Sequence, residues 1–204
     1  MGIYGKLYKT AIFQREREST SLVSNHLSES NKKKVDTTEW KEFIIGNMFK
    51  DMIFKPEVFH NRQVVENEQG IPYIVRTKFN NGVKFRVEKK KNMSLSPGGV
   101  ISFGAENTSF FYQKEPFVSG RDIYYIDTQK FSKRVCLYLI SCLQTLAKKY
   151  SYSYGLFPDH LKKEKIKLPV NQDGNPDWEY MEEYIFRIES DLKKLQNTTL
   201  FKSD

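Results

Sequence analysis

From Trp40 onward the hydrophobic positions organise the chain into short β-type runs, and then into helical ones. "EWKEFIIGNMF" opens this region, with Trp40, Phe43, Ile45 and Phe49 as apolar anchors. "IPYIVRT" and "VKFRVE" flank Asn81-Gly82, and because both residues tolerate positive φ the pair predicts a hairpin. "PGGVISFGA", "SFFYQKEPFV" and "DIYYIDT" are further short runs rich in β-branched and aromatic residues. Together they predict a mixed, largely antiparallel curved sheet.

The period then changes. In "FSKRVCLYLISCLQTLAKKY", Val135, Leu139, Cys142, Leu143 and Leu146 fall on one helical stripe, and a serine near the start can cap the helix. This helix is expected to pack on the sheet. "SYSYG" breaks it, "LFPDHLKKE" predicts a short turn or helix, and "KIKLPV" returns to a strand. Beyond the polar loop "NQDG", Asn175 reads as an N-cap with Pro176 at the first helical position. Asp177 and Glu179 then lie where the helix dipole favours acids. Trp178, Met181, Ile185, Ile188, Leu192 and Leu195 step by 3, 4, 3, 4 and 3 residues. That spacing reads as a coiled-coil seam. The alternative is packing on the chain's own body, for which a wider stripe is usual.

The expected fold class is therefore α/β of the α+β kind. A mixed, largely antiparallel curved sheet carries a packed helix and is followed by a long C-terminal helix of coiled-coil type. Residues 1–38 form a polar N-terminal segment in which "ERESTSLVSNHLSESNKKKVDTT" reads as a linker. Residues 39–172 form the globular body, and 173–204 form the spacer or dimerisation helix.

Charge adds a division of labour. The chain carries +8, from 33 basic and 25 acidic residues. From Asp177 onward there are 4 basic and 7 acidic residues, so the tail is −3 and the preceding 176 residues carry +11. A basic body suggests a polyanion partner, usually nucleic acid, while a protein that is merely basic remains the bland alternative. No apolar stretch approaches the ~20 residues of a membrane span. The N-terminus lacks the apolar core of a signal peptide, and Lys6 stands where a myristoylation signal needs Ser or Thr. Cys136 and Cys142, six residues apart in one apolar helix, read as reduced core thiols of a cytoplasmic protein. His26, His60 and His160 are scattered, with no zinc-like spacing and so no expected metal.

Catalytic patterns fail one by one. "SPGGVISFG" has glycines but not the spacing or lysine of a phosphate loop. There is no GxSxG, HExxH or CxxC. Pro158-Asp159 and Glu164 begin to resemble a nuclease metal motif, but Ile166 stands where it needs lysine. "NPDW" at Asn175–Trp178 differs by one letter from the loop with which amino-methyltransferases hold their target amine. No glycine strand for AdoMet precedes it, and a helix cap explains these residues better.

"WKEFIIGNMF", "IPYIVRTKFNNGVKF", "GGVISFGAENTSFFYQKEPFVSGRDIYYI", "YSYSYG" and "IKLPVNQDGNPDWEYMEEYI" occur in an order and spacing that resemble a target recognition domain. The family is the specificity subunit of type I restriction-modification systems, with relatives in type IIG and IIB enzymes. The resemblance covers about Glu39 to Asn197. It implies an α/β globule reading half of a split DNA sequence, followed by a helix that pairs with a counterpart and spaces two half-sites. It implies a non-catalytic chain with no cofactor of its own. AdoMet belongs to a partner adenine methyltransferase, and a separate motor-nuclease subunit cuts double-stranded DNA. A full subunit holds two such units, so this sequence resembles either a half-subunit that forms a symmetric dimer through its helix, or a fragment containing only the second unit and pairing with another recognition unit. Competing readings are the recognition end of a methyltransferase-nuclease, or an interaction module occupying the methyltransferase.

DNA-contacting candidates are chosen on chemistry, since Arg and Lys suit guanine edges and Asn suits adenine. The hairpin supplies Arg76, Lys78, Asn80, Asn81, Lys84 and Arg86, although Asn81-Gly82 is equally a plain tight turn. "FGAENTSF" adds Asn107 and Thr108, and "SGRD" adds Arg121, which can instead pair with Asp122. "KYSYSYG" adds Lys149, Tyr152, Ser153 and Tyr154, whose tyrosines can equally be buried. Lys89–Lys91 suit phosphates or solvent.

Overall fold

The computed structural model describes residues 36–150 and 154–200. In chain order the elements are β1 (Lys41–Ile44), α1 (Ile45–Met48), β2 (Ile53–Phe54), β3 (Glu66–Ile74), β4 (Val83–Val87), β5 (Val100–Gly104), β6 (Ser109–Gln113), β7 (Val118–Ser119) and β8 (Ile123–Ile126). They are followed by α2 (Lys133–Leu143), α3 (Pro158–Leu161), β9 (Lys165–Leu168) and α4 (Trp178–Leu200). The strands among the described residues form three small sheets rather than one. β2-β8-β5-β6 is wholly antiparallel; β4-β3-β7 joins an antiparallel hairpin to a parallel pair; and β1 closes on β9. The mixed α+β class stands, with the strands divided among these three sheets.

The expected hairpin forms, and its turn is longer than two residues. β3 and β4 pair from Ile71↔Val87 to Ile74↔Val83, and a 3-10 turn over Asn80–Gly82 connects them. Asn80, Asn81 and Gly82 all take positive φ, at 49°, 53° and 81°. Asn and Gly are the residues that accept this conformation most readily. A bulge between Glu66 and Ile71 brings Gly70 so close to the Val87 carbonyl that any Cβ would collide with it.

Helix α2 begins as its sequence suggests, with the Ser132 hydroxyl accepting from the Val135 amide at 3.2 Å. Its burial is broader than one stripe, because every residue from Val135 to Leu143 is buried. Three neighbours account for this. The α2 core is shared with Ile101, Phe103 and Phe110 of the four-stranded sheet, with Ile166 and Leu168 of β9, and with Met181, Ile185 and Ile188 of α4. Cys136 and Cys142 are free and lie inside this core, where burial pushes their thiols up to about 11 and about 12.

The tail helix differs from expectation in two ways. It starts at Trp178, and Asp177 rather than Asn175 caps it, accepting from the Tyr180 amide at 2.9 Å. Pro176 is held in a bridge with Val170, and the Asn175 amide is bound by the Asn171 side chain, so both belong to the preceding loop. A carboxylate at this position satisfies a free amide and complements the dipole together. That also disposes of the methyltransferase-like reading of "NPDW".

The second correction concerns the seam. Met181, Ile185 and Ile188 are buried against the chain's own α2, and Trp178 and Leu192 pack half-buried on the same core. Tyr184 is buried with them and sets its ring edge-on to Tyr138. With Tyr184 included, the apolar positions recur at 181, 184, 185 and 188, the wider stripe of a helix docked on a domain. The interface assigned to these residues is thus filled within one chain. Leu195 lies on the helix, but its side chain is outside the described residues, as are residues 1–35, which hold most of the expected linker.

Polar contacts reinforce the docking. Arg134 of α2 reaches Glu189 at 2.8 Å and Glu182 at 2.9 Å, and Ser132 donates to Glu182. Hydrogen bonding to Glu189 and then Glu182 raises Arg134 above its ordinary value. Its side chain is 36% exposed, so solvent keeps each pair below about 1 kcal/mol and the apolar stripe carries the docking.

Ile185→Ala is expected to cost about 2–5 kcal/mol in chemical denaturation, the loss for a well-packed aliphatic residue, with unfolding of the body and tail as one transition. In native protein at pH 8, Cys136 and Cys142 should resist a thiol reagent, and both should react once guanidinium unfolds the chain.

Candidate nucleic-acid interface

Strand connections bring several of the chosen residues to one end of the molecule. The β3–β4 connection, the β5–β6 turn and the β7–β8 turn meet there. Arg76 of the first forms ion pairs with Glu106 of the second and, at 3.2 Å, with Asp122 of the third. Ser109 also donates to the Thr77 carbonyl at 3.2 Å, which ties the hairpin to β6. The Leu156 amide donates to the Ala105 carbonyl at 2.8 Å, so the segment after Tyr154 joins the same region.

Within that group the side chains differ in what they can reach. Lys78, Asn80 and Lys84 are exposed on the hairpin. Asn80 turns its amide to the Val83 carbonyl at 2.8 Å, and Lys84 reaches Asn61 at 2.8 Å. Arg121 does pair with Asp122 through Nε at 3.2 Å, yet its side chain is 64% exposed. Tyr154 is 58% exposed and stacks on Tyr150 and His160, with ring centroids 5.5 Å and 5.0 Å away. Phe79, beside Lys78, is 68% exposed.

Other chosen residues serve the frame. Arg76 is drawn back between two carboxylates, so it orders three loops rather than facing outward. Asn81 turns inward and donates to the Tyr112 carbonyl at 2.9 Å, while its own carbonyl accepts from Gln113 at 3.0 Å. Thr108 is only 1% exposed and has φ of 46°, and its carbonyl accepts from Gln144 at 2.9 Å. Its hydroxyl faces the interior. Asn107 is half-buried, with its carbonyl side receiving Ser109 at 2.9 Å.

Arg86 is committed elsewhere. It grips Glu115 through two nitrogens at 2.9 Å and 2.7 Å and the Gly70 carbonyl at 2.6 Å. The hydrogen bonds from Arg86 hold the Glu115 carboxyl below its ordinary value. Lys149 reaches Glu164 at 2.6 Å, and Tyr150 donates to the same carboxylate at 2.8 Å. Burial would raise Glu164, but these two hydrogen bonds outweigh it and hold the carboxyl below its usual value. Burial first, and then the bond to Glu164, pushes the Tyr150 phenol up to about 12. Lys89–Lys91 remain on the exposed surface. Tyr152 and Ser153 lie outside the described residues.

Charge counting within the converged loops is instructive. Arg76 and Arg121 face Glu106 and Asp122, so this cluster cancels, and the local positive charge comes from Lys78 and Lys84. Sequence reasoning missed the two acids that hold the loops together, because nothing local marks Glu106 and Asp122 as partners of Arg76. It also missed Gln144, which fixes the β5–β6 turn from 36 residues away.

Residues 37–198 match the family model described as the type I restriction modification DNA specificity domain. The chain is 31% identical over 158 residues to the specificity subunit S.BcgI of a type II restriction enzyme from Heyndrickxia coagulans, covering 76% of this chain and 46% of that protein. Among solved structures it resembles the HsdS subunit from Thermoanaerobacter tengcongensis, with a TM-score of 0.53 at 14% identity over 96% of this chain and 52% of that one. It equally resembles the type I restriction-modification S subunit from M. genitalium, with a TM-score of 0.53 at 13% identity over 96% of this chain and 48% of that one. The chain thus spans about half the length of the relatives it matches. With a family match running from before β1 through most of α4, and the shared fold beneath it, this chain belongs to the family of type I restriction-modification DNA specificity domains.

Proposed function

We propose that this chain is the DNA-reading part of a restriction-modification system and performs no chemistry itself. It reads one half-site of double-stranded DNA through the end at which the β3–β4, β5–β6 and β7–β8 connections converge. The observation that carries this reading is the family match combined with that convergence, which groups Lys78, Asn80, Lys84 and Arg121 on exposed loops held by a rigid frame. Arginine, lysine and asparagine are the side chains that suit base edges in the major groove, while lysines also neutralise phosphates.

The tail has a different role. Glu179, Glu183 and Asp191 are exposed on α4 beside Arg187, Lys193 and Lys194, with Glu183 paired to Arg187 and Asp191 to Lys194, a mixed-charge surface that suits a protein better than phosphate. Through it the chain docks a partner adenine methyltransferase, which holds AdoMet, and joins a motor-nuclease subunit where the system has one. Because Met181, Ile185 and Ile188 are already covered, pairing with a second copy or a second recognition unit uses the outer face of α4 and its C-terminal turns. The assembly works in the cytoplasm.

Selection from a randomised duplex library, with methyltransferase subunits present, should enrich one motif. Binding should weaken steeply with salt. Failure to enrich any motif in that setting would overturn the reading. Lys78→Ala and Lys84→Ala should each weaken binding similarly across sequences and lower the salt slope by about 1. By contrast, Asn80→Ala or Arg121→Ala should relax the selected motif at a particular base, at about 1–3 kcal/mol of discrimination.

A further inference from the structure

Phe79 is the most exposed of the large hydrophobic side chains among the described residues, at 68%. A single exposed apolar residue is ordinary on a protein surface. What sets this one apart is the rigidity of its mount. The Phe79 amide donates to the Thr77 hydroxyl at 3.2 Å, and the Phe79 carbonyl accepts from Gly82 at 3.0 Å. Three successive left-handed residues follow it. Asn80 is tied to Val83, and Asn81 is tied from both its amide side chain and its carbonyl to β6. A ring that only needed to avoid water would fold back over the half-buried Val75 or Val83. Here the turn leaves it exposed, lining an open groove of about 640 Å³ together with Asn80 and Lys84.

We propose that Phe79 is a wedge that enters the stack at one base step of duplex DNA when the hairpin docks. Apolar side chains at such positions partly unstack a step and kink the duplex, and flanking cations compensate the phosphates drawn together. The occupant is DNA rather than protein because the ring shares its groove with Asn80 and Lys84 and directly follows the exposed Lys78, a setting complementary to phosphates and base edges. The wedge adds readout by deformability, since pyrimidine–purine steps unstack most easily. This inference rests on the reading that the chain binds duplex DNA, and the test separates the two.

The motif-bearing duplex obtained by selection is labelled with 2-aminopurine at successive positions and with a fluorophore pair at its ends. Bound to the full chain with its methyltransferase subunit, 2-aminopurine should brighten at one step, and end-to-end transfer should report a bend. Phe79→Ala should abolish both signals and weaken binding about tenfold. Phe79→Leu should keep most of each, and Lys78→Ala should weaken binding while leaving the brightened step in place. Circular dichroism should show both Phe79 variants folded, as expected for a change at an exposed ring. If Phe79→Ala binds the selected motif with unchanged affinity, bend and brightening, the wedge is wrong and the DNA reading survives. If Phe79→Ala instead loses the methyltransferase subunit but not DNA, the ring is a protein contact and the wedge is again wrong. If no motif is ever selected, the DNA reading itself fails.

Discussion

The structure depends on the complete burial of α2. Nine consecutive residues, Val135 to Leu143, are withdrawn from water, which requires cover on every side. The four-stranded sheet supplies one wall, β9 a second and α4 a third. Each wall constrains something functional. The sheet projects the β5–β6 turn. β9, by pairing with β1, fixes where the chain enters and leaves the body. The α4 wall makes the tail part of the globule rather than an appendage, so the direction of the helix is set by the core that also sets the loops.

The electrostatic design follows from that shared core. Charge on the inner side of α4 is matched by Arg134, while on its outer side Glu183 and Asp191 pair along the helix with Arg187 and Lys194. At the loop end, two arginines and two carboxylates cancel one another. Such partly exposed pairs add little net stability. Their value is positional, because Asp122 has a left-handed backbone, at φ of 58°, and serves Arg76 and Arg121 together. The positive charge at that end is therefore carried by Lys78 and Lys84 beside a neutral, ordered cluster.

Most local signals in the chain were read well, although the cap of α4 falls on Asp177 rather than Asn175. The Asn-Gly turn, the Ser132 cap and the run of short strands all follow from neighbouring residues, and they appear as expected. The division into three sheets was not legible, since the parallel pairing of β3 with β7 joins segments about 45 residues apart. The seam on α4 misled because its step of 3 and 4 fits two geometries, and only Tyr184, an aromatic with a polar tip, distinguishes them. The site shows the same pattern. Residue chemistry singled out loops that the fold brings together, but which side chains face outward depends on partners such as Glu106, Glu115 and Gln144 that no motif connects to them.

The bonds that brace these loops share a trait: many end on backbone carbonyls. Arg86 binds the carbonyl of Gly70, Asn81 that of Tyr112, Ser109 that of Thr77 and Gln144 that of Thr108. A carbonyl is present whatever the side chain, so these accepting positions keep their brace through a change of side chain, Gly70 excepted because a Cβ there would collide with Val87. Stability of the frame and identity of the exposed side chains are thereby largely uncoupled. Exposed loop residues can then change while the backbone beneath them keeps its bracing bonds.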